Sequence, residues 1–332
     1  MLLEVGGGRF GRSHRTAAPG EWLTVADQAV AGVASPAIEL VGLTKRYRGS
    51  LAVAGLTMSV PRGEVFGFLG PNGAGKTTVV KLLLGLAQPT SGQGSVLGEP
   101  LGSRAARRQI GYLPELFRYQ AWLKAREVLA LHCELAGVPL RLRHEAIGTA
   151  LEMTGLGERG RDRVETFSKG MQQRLGLAVA LLGDPQLVLL DEPTSALDPV
   201  GRHDVRDIIR GLKQRGVAVF LNSHLLAEVE QVCDRVAVVD HGRVVAQGPL
   251  AELLALPQVR IRCTGLGREA LAELGRRWAL HQDGDWLSVA GLSTSDVPDL
   301  VAALVGAGAR IHAVDPGQQT LEERFLQLVD QA

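Results

Sequence analysis

Cysteine is scarce in this chain. Cys133, Cys233 and Cys263 are the three among 332 residues, and none has a Cys or His close by at metal-ligand spacing. An odd, scattered count excludes a disulfide framework and a cysteine zinc site. It suits small buried hydrophobes in a reducing compartment. Long apolar runs are missing too. One of the longest, Leu175 to Leu182, is broken by Gly176, and a bilayer span needs about 18 apolar residues. The first residues lack a secretory apolar core, because Glu4, Arg9, Arg12 and Arg15 interrupt it. The chain is therefore expected in the cytoplasm, and any work at a membrane needs another chain for the membrane part. A surplus of one charge sign is also absent. The net charge of +1, from 36 basic and 35 acidic residues, excludes a nucleic-acid partner held by bulk charge. With 45% apolar and 21% charged residues, disorder over most of the length is excluded as well.

What is present is an alternation of strands and helices. At about 150 residues per domain the length points to two domains. Residues 1–36 read as a flexible N-terminal extension, punctuated by Gly6, Gly7, Gly8, Gly11, Gly20 and Pro36. Within it, Trp22 to Val33 has the pattern of one short helix. Residues 37–256 form the main unit. Ile38–Leu43, Leu51–Val60 and Glu64–Leu69 read as strands, and a glycine-rich turn leads into a helix from Lys76 to Leu86. Ser95–Leu97 and Ile110–Leu113 are further strands, and Lys124 to Gly183 is mostly helical. Then Leu187–Leu190, Val217–Leu221, Val236–Val239 and Val244–Gln247 read as strands, with helices over Val200–Arg215 and Leu225–Val232. Asp240-His241-Gly242-Arg243 is a hairpin signal. Such βα units around apolar strands predict a mainly parallel sheet covered by helices, an α/β fold.

Pro257 marks a break. Residues 257–332 read as a small α+β domain: strands Val259–Cys263, Trp278–Gln282, Trp286–Val289 and Arg310–Val314, helices Arg268–Leu274 and Asp296–Val305, then a closing helix Thr320–Val329. The order is ferredoxin-like, a split β-α-β. This part holds no catalytic motif, so truncation near Ala255 is expected to leave ligand binding by the main unit largely intact.

Three motifs carry chemistry. Gly70-Pro71-Asn72-Gly73-Ala74-Gly75-Lys76-Thr77 is a P-loop pattern between an apolar strand and a helix. With only six lysines in the chain, composition predicts about 0.007 such matches. Its glycines let backbone N–H groups curl around a β-phosphate, and the helix start adds positive potential. Lys76 suits the β- and γ-phosphates, and the Thr77 hydroxyl suits Mg²⁺. Leu187-Val188-Leu189-Leu190-Asp191-Glu192 is a buried strand ending in two carboxylates, where parallel sheets bind ligands. The first can hold Mg²⁺ and the second can act as a base toward water. Third, Phe167-Ser168-Lys169-Gly170-Met171-Gln172 opens a helix 23 residues before Asp191. Ser168 is a natural N-cap, and the free amides behind it make a second anion site.

Together these resemble the ATP-binding cassette (ABC) proteins of membrane transporters, over residues 37 to 256. The likeness is to the ABC-2 export type, whose ATPase chain is separate from its permease. Ser168 to Gln172 corresponds to the family signature, with Lys169 where many members have Gly. Ser195-Ala196-Leu197-Asp198 matches the D-loop, His224 the switch histidine and Tyr47 the aromatic that stacks on adenine. Pro114-Glu115 stands where Gln is usual, a mark of the ABC-2 branch. Thr320-Leu321-Glu322-Glu323-Arg324-Phe325 resembles the Leu-Glu-x-x-Phe close of that branch.

The resemblance implies a parallel-sheet core, an antiparallel β subdomain and a helical subdomain. It implies ATP and Mg²⁺ as ligands. ATP is held by Tyr47, the loop Gly70 to Lys76, Thr77 and Thr78, with Glu115. The metal is held by Thr77, Glu115 and Asp191. Glu192 is the base, and Lys76 and His224 hold the γ-phosphate. Ser168, Gly170, Gln172 and Asp198 complete the site of a second copy, or of a paralogous ATPase chain, in a head-to-tail dimer. The complex sits on the inner face of the cell membrane with an integral permease.

Three alternatives remain open at this point. An importer ATPase more often keeps Gln at position 115. A DNA-repair ABC switch needs a coiled-coil insertion, which is absent, and a ribosomal one usually needs two cassettes in one chain. The aromatics Phe117, Tyr119 and Trp122 fit a groove for a permease helix. They equally fit packing of a long loop.

Overall fold

Aliphatic runs cut by glycine and proline set the strands. The computed structural model describes residues 35–195, 197–254, 258–290, 292, 296–315 and 320–330. The reading of residues 1–34 as an extension with a short helix, and the boundary at Pro257, lie outside the described residues. β1 (Ile38–Tyr47) and β2 (Ser50–Val60) largely alternate buried and exposed positions, whereas β3 (Val65–Leu69) is buried throughout. Alternation is the mark of a sheet with one wet face; full burial needs cover on both.

After the P-loop come α1 (Lys76–Leu83), β4 (Ser91–Val96), β5 (Glu99–Pro100), α2 (Arg104–Arg107) and β6 (Ile110–Leu113). A helical stretch follows: α3 (Ala125–Leu135), α4 (Leu140–Met153) and α5 (Lys169–Ala180). The chain then returns through β7 (Leu187–Asp191), α6 (Pro199–Gln214), β8 (Ala218–Asn222), α7 (Leu226–Val232), β9 (Arg235–Asp240), β10 (Arg243–Pro249) and α8 (Leu250–Leu254). The last part is β11 (Gln258–Thr264), α9 (Arg268–Leu274), β12 (Leu280–Asp283), β13 (Trp286–Ala290), α10 (Val297–Gly306), β14 (Arg310–Asp315) and α11 (Leu321–Asp330).

Three sheets form. The first is antiparallel, in the order β2-β1-β4-β5; the second runs β10-β9-β3-β8-β7-β6. In the second, β9, β3, β8, β7 and β6 are mutually parallel and β10 is antiparallel. The ends of β3, β7 and β8 therefore open on the same edge, where loops from parallel strands meet. The third sheet is antiparallel, β12-β13-β11-β14, the ferredoxin-like order. α3, α4 and α5 enclose a separate apolar cluster that includes Leu129, Cys133, Leu151, Phe167 and Leu175, so they form a helical subdomain.

Several ends differ from the sequence reading. α1 stops at Leu83 rather than Leu86, because Gly85 takes φ +68° and the chain turns. β4 begins at Ser91, four residues early, since Gly92 allows contact so close that a Cβ there would lie 2.2 Å from Gly42 O. β12 starts at Leu280; Trp278 instead packs its ring under the Arg277 guanidinium, 4.5 Å from the centroid.

α11 has an origin the sequence pattern did not locate. Its stripe of Leu321, Phe325, Leu328 and Val329 joins the apolar cluster of the main unit, with Val229, Val232, Cys233 and Leu250. α11 thus packs on α7 and α8 of the main unit and not on the small third sheet.

Candidate functional site

The P-loop is shaped by close backbone approach. A Cβ at Gly70 would lie 2.2 Å from Val239 O, and one at Gly75 2.2 Å from Ala52 O. Gly75 also holds φ +98°, a conformation costly to any other residue. The tip of the β9–β10 hairpin reaches the loop: Gly242 N donates to Ala74 O at 3.0 Å, and Gly242 O accepts from Ala54 N at 2.8 Å. His241 and Gly242 take φ +46° and +76°, as a two-residue turn of this hand requires. Gly75→Ala combines strain with overlap and is expected to cost about 3 kcal/mol in urea unfolding. Gly73→Ala has φ +85° but open space around its Cβ, and about 1 kcal/mol is expected. Equal losses would sink the close-approach argument.

Lys76 opens α1 and is buried; its Nζ donates to Gly70 O at 2.7 Å and Pro71 O at 3.2 Å. Burial lowers its pKa, and Glu192, Asp191 and Glu115 oppose that effect by attraction. Asp191 ends β7, also buried, and accepts a hydrogen bond from Asn222 Nδ2. Burial raises its pKa and that hydrogen bond lowers it, while Glu115 and Glu192 raise it further. Glu192 sits at φ +52°, held by its N–H to Asn222 O at 2.8 Å. Its Oε2 lies 2.7 Å from His224 Nδ1, an ion-pair distance, and makes no hydrogen bond of good angle. Cross-strand pairing of Asp191 with Asn222 places His224 two residues on, beside Glu192.

These groups line one pocket of about 380 Å³. From the sequence-selected residues it gathers Gly70, Pro71, Asn72, Lys76, Thr77, Glu115, Asp191, Glu192 and His224. Gly73, Ala74, Gly75 and Thr78 belong to the loop and first turn without lining the pocket. Asn222, Ser223, Leu226 and Phe325 also line it and were not singled out from the sequence as site residues. Among the described residues, no cluster of three His, Cys, Asp or Glu side chains could hold a metal. Glu115, Asp191 and Thr77 supply hard oxygen donors to the pocket lining, too few alone for an octahedral ion. That fits Mg²⁺, which takes phosphate and water for its remaining positions.

Five selected residues lie away from this pocket: Tyr47, Ser168, Gly170, Gln172 and Asp198. Ser168 caps α5, accepting from Met171 N at 3.2 Å, and is exposed. Gly170 follows in the first turn, and Gln172 Nε2 donates to Phe167 O at 3.2 Å. Asp198 caps α6 by accepting from Gly201 N at 2.8 Å. Tyr47 is exposed at the end of β1, with Lys45 Nζ 4.7 Å from its ring centroid. A buried link joins two of these regions. Gln173 Nε2 donates to Pro193 O at 2.8 Å, tying α5 to the residue after Glu192.

The ABC transporter family profile matches residues 53–195. An ABC transporter ATP-binding protein of Nostoc sp., uncharacterised, is 39% identical over 83% of this chain and 82% of its own length. The chain belongs to the ABC transporter ATP-binding proteins. A Nod factor export ATP-binding protein of Rhizobium sp. is 43% identical over 64% of this chain and 70% of its own. A solved ATP-binding subunit of an ABC transporter superimposes with a TM-score of 0.60, at 32% identity, covering 65% of this chain and 91% of that one.

In this ABC ATPase the aromatic stretch after Glu115 divides in two. Phe117 packs into the cassette core against Gly176, where a Cβ would meet its ring at 2.8 Å. The Tyr119 ring meets Phe117 tilted at 46°, centroids 5.3 Å apart, and His132 edge-on at 5.7 Å, and burial pushes its hydroxyl pKa up. These two serve packing. Trp122 and Leu116 remain 67% and 87% exposed, more than packing alone explains.

Proposed function

We propose that this chain hydrolyses ATP, giving ADP and phosphate, to drive a separate export permease. What supports the reading most is the single pocket that gathers Lys76, Thr77, Asp191, Glu192 and His224 at the ends of α1, β7 and β8. The P-loop amides and Lys76 bind the phosphates. Glu192 takes the proton of the attacking water, and His224, paired with that carboxylate, orients toward the γ-phosphate. Thr77, Glu115 and Asp191 would hold Mg²⁺, which supplies neutralising charge when bound. Tyr47 offers its free ring face to the adenine.

Ser168, Gly170, Gln172 and Asp198 serve the site of a partner chain. Two helix starts on one cassette, the exposed one of α5 and that of α1 in the pocket, are complementary when a second copy or a paralogous ATPase chain is turned by two-fold symmetry. Export follows the Nod factor relative and the Pro114-Glu115 pair.

Among the described residues, no helix is long and apolar enough to cross a membrane; in this reading a separate permease supplies the span. The complex then lies on the cytoplasmic face of the membrane. Trp122 and Leu116, with Leu131 and Leu135 exposed on α3, form the surface for the permease. In its own host, the tagged full chain is expected to co-purify with an integral membrane protein. Trp122→Ala should cut that recovery by about tenfold or more, as a buried aromatic anchor does, and leave the free chain's ATPase rate unchanged. Recovery without any membrane protein would overturn the transporter reading.

A further inference from the structure

The pocket has one aromatic wall, and it comes from the far end of the chain. Phe325 lines the pocket together with His224 and Leu226, and it is half-buried. It stands on α11, some 130 residues beyond Glu192, in a part of the sequence with no catalytic motif. Three features fix it there. Thr320 and Glu323 form a reciprocal capping box: Thr320 N donates to Glu323 Oε2 at 3.2 Å and Glu323 N to Thr320 Oγ1 at 3.3 Å. Leu321 is fully buried, and its N–H donates at 3.0 Å to Glu230 Oε2 on α7. Finally, Phe325, Leu328 and Val329 continue the Leu321 stripe into the same apolar cluster as Leu226.

α7 begins two residues after His224. The helix that carries Leu226 is thus clamped by α11, and the loop with His224 hangs between α7 and β8. His224 itself is half-exposed, with its Nδ1 end toward Glu192. From α7 and α11 the pocket is lined by Leu226 and Phe325, both apolar. An apolar wall on the pocket that holds the imidazole favours one placement of the ring.

We propose that Phe325 is a positioning residue for ATP hydrolysis. It holds His224 toward Glu192 from α11, the helix that follows the small C-terminal sheet. The small sheet is entered from α8 and left into α11, and both helices pack on the cassette core. The proposal rests on the reading of Glu192 and His224 as the hydrolytic pair.

The test uses the full chain with Mg-ATP and separates kcat from KM. Phe325→Ala is expected to lower kcat by about 10- to 100-fold, the range for a misplaced catalytic group. KM should stay within about twofold, because the phosphate-binding loop is untouched. Phe325→Leu and Phe325→Met, which keep an apolar wall, should recover most of the rate. They also serve if the alanine variant does not fold. Leu326→Ala, on the exposed face of the same helix, should match the parent. An unchanged kcat in Phe325→Ala overturns the proposal. So does a raised KM at constant kcat, which would make Phe325 part of the nucleotide-binding surface. So do leucine and methionine variants as slow as alanine. Glu192→Gln is run alongside. If it keeps its turnover, the reading of the pair fails; if it is inactive while Phe325→Ala is normal, only this inference fails.

Discussion

Glu192→Gln should bind Mg-ATP about as well as the parent chain and turn it over about 10²–10⁴ times more slowly, the usual range for loss of a general base. The substitution keeps the shape of a side chain that is buried to 8% exposure. It also keeps the backbone at φ +52°, pinned by the bond from its N–H to Asn222 O. What it removes is the carboxylate beside His224 Nδ1, and with it the acceptor for the water proton. An ATP-stabilised dimer should therefore accumulate, visible by size-exclusion chromatography in the presence of Mg-ATP. Parent-like turnover would take the base role away from Glu192.

Lys76→Ala and Ser168→Arg should each abolish ATPase activity, and mixing them should restore part of it. Lys76 lies in the phosphate pocket, and Ser168 caps α5 outside it. If one ATP is held between Lys76 of one chain and Ser168 of another, a mixed dimer has one site free of lesions and one with both. Partial activity in the mixture, absent from either variant alone, is the expected result. Strict cooperativity between the sites would hide that activity, so dimer formation is measured too: a mixed ATP-dependent dimer should still form. The parent chain's specific activity should also fall on dilution. Full activity of an isolated monomer, independent of dilution, would exclude a shared site.

How much of this was legible in the sequence varied with the range of the interaction. The P-loop and the Asp191–Glu192 pair are local patterns, each a strand end followed by a turn, and most of their residues line the pocket that local chemistry suggested. Asn222 was not legible. It matters through its register beside Asp191 on a neighbouring parallel strand, which only sheet order reveals. Gln173 was missed for a similar reason, since its partner is Pro193 O, 20 residues away. Phe325 was noticed as part of a closing motif but not as a wall of the site. The sequence break at Pro257 suggested that everything after it stands apart. The apolar stripe of α11 was readable, but not the surface that covers it. Truncation near Ala255 would remove that wall, so the sequence-based expectation of an untouched site does not carry over to hydrolysis. The aromatics after Glu115 show the same limit. Composition put three together, while packing gave Phe117 and Tyr119 to the interior and left Trp122 outside.

The hairpin tip at Gly242 has a wider consequence. One glycine bonds on one side to β2 and on the other to the phosphate loop, so the loop is pre-organised before any nucleotide arrives. Ordering a free loop costs roughly 1–2 kcal/mol per residue. A loop already stitched to two sheets avoids most of that cost at each binding event. The phosphate cradle can then remain rigid through the cycle, and the motions that make the cassette a machine fall to the parts around it.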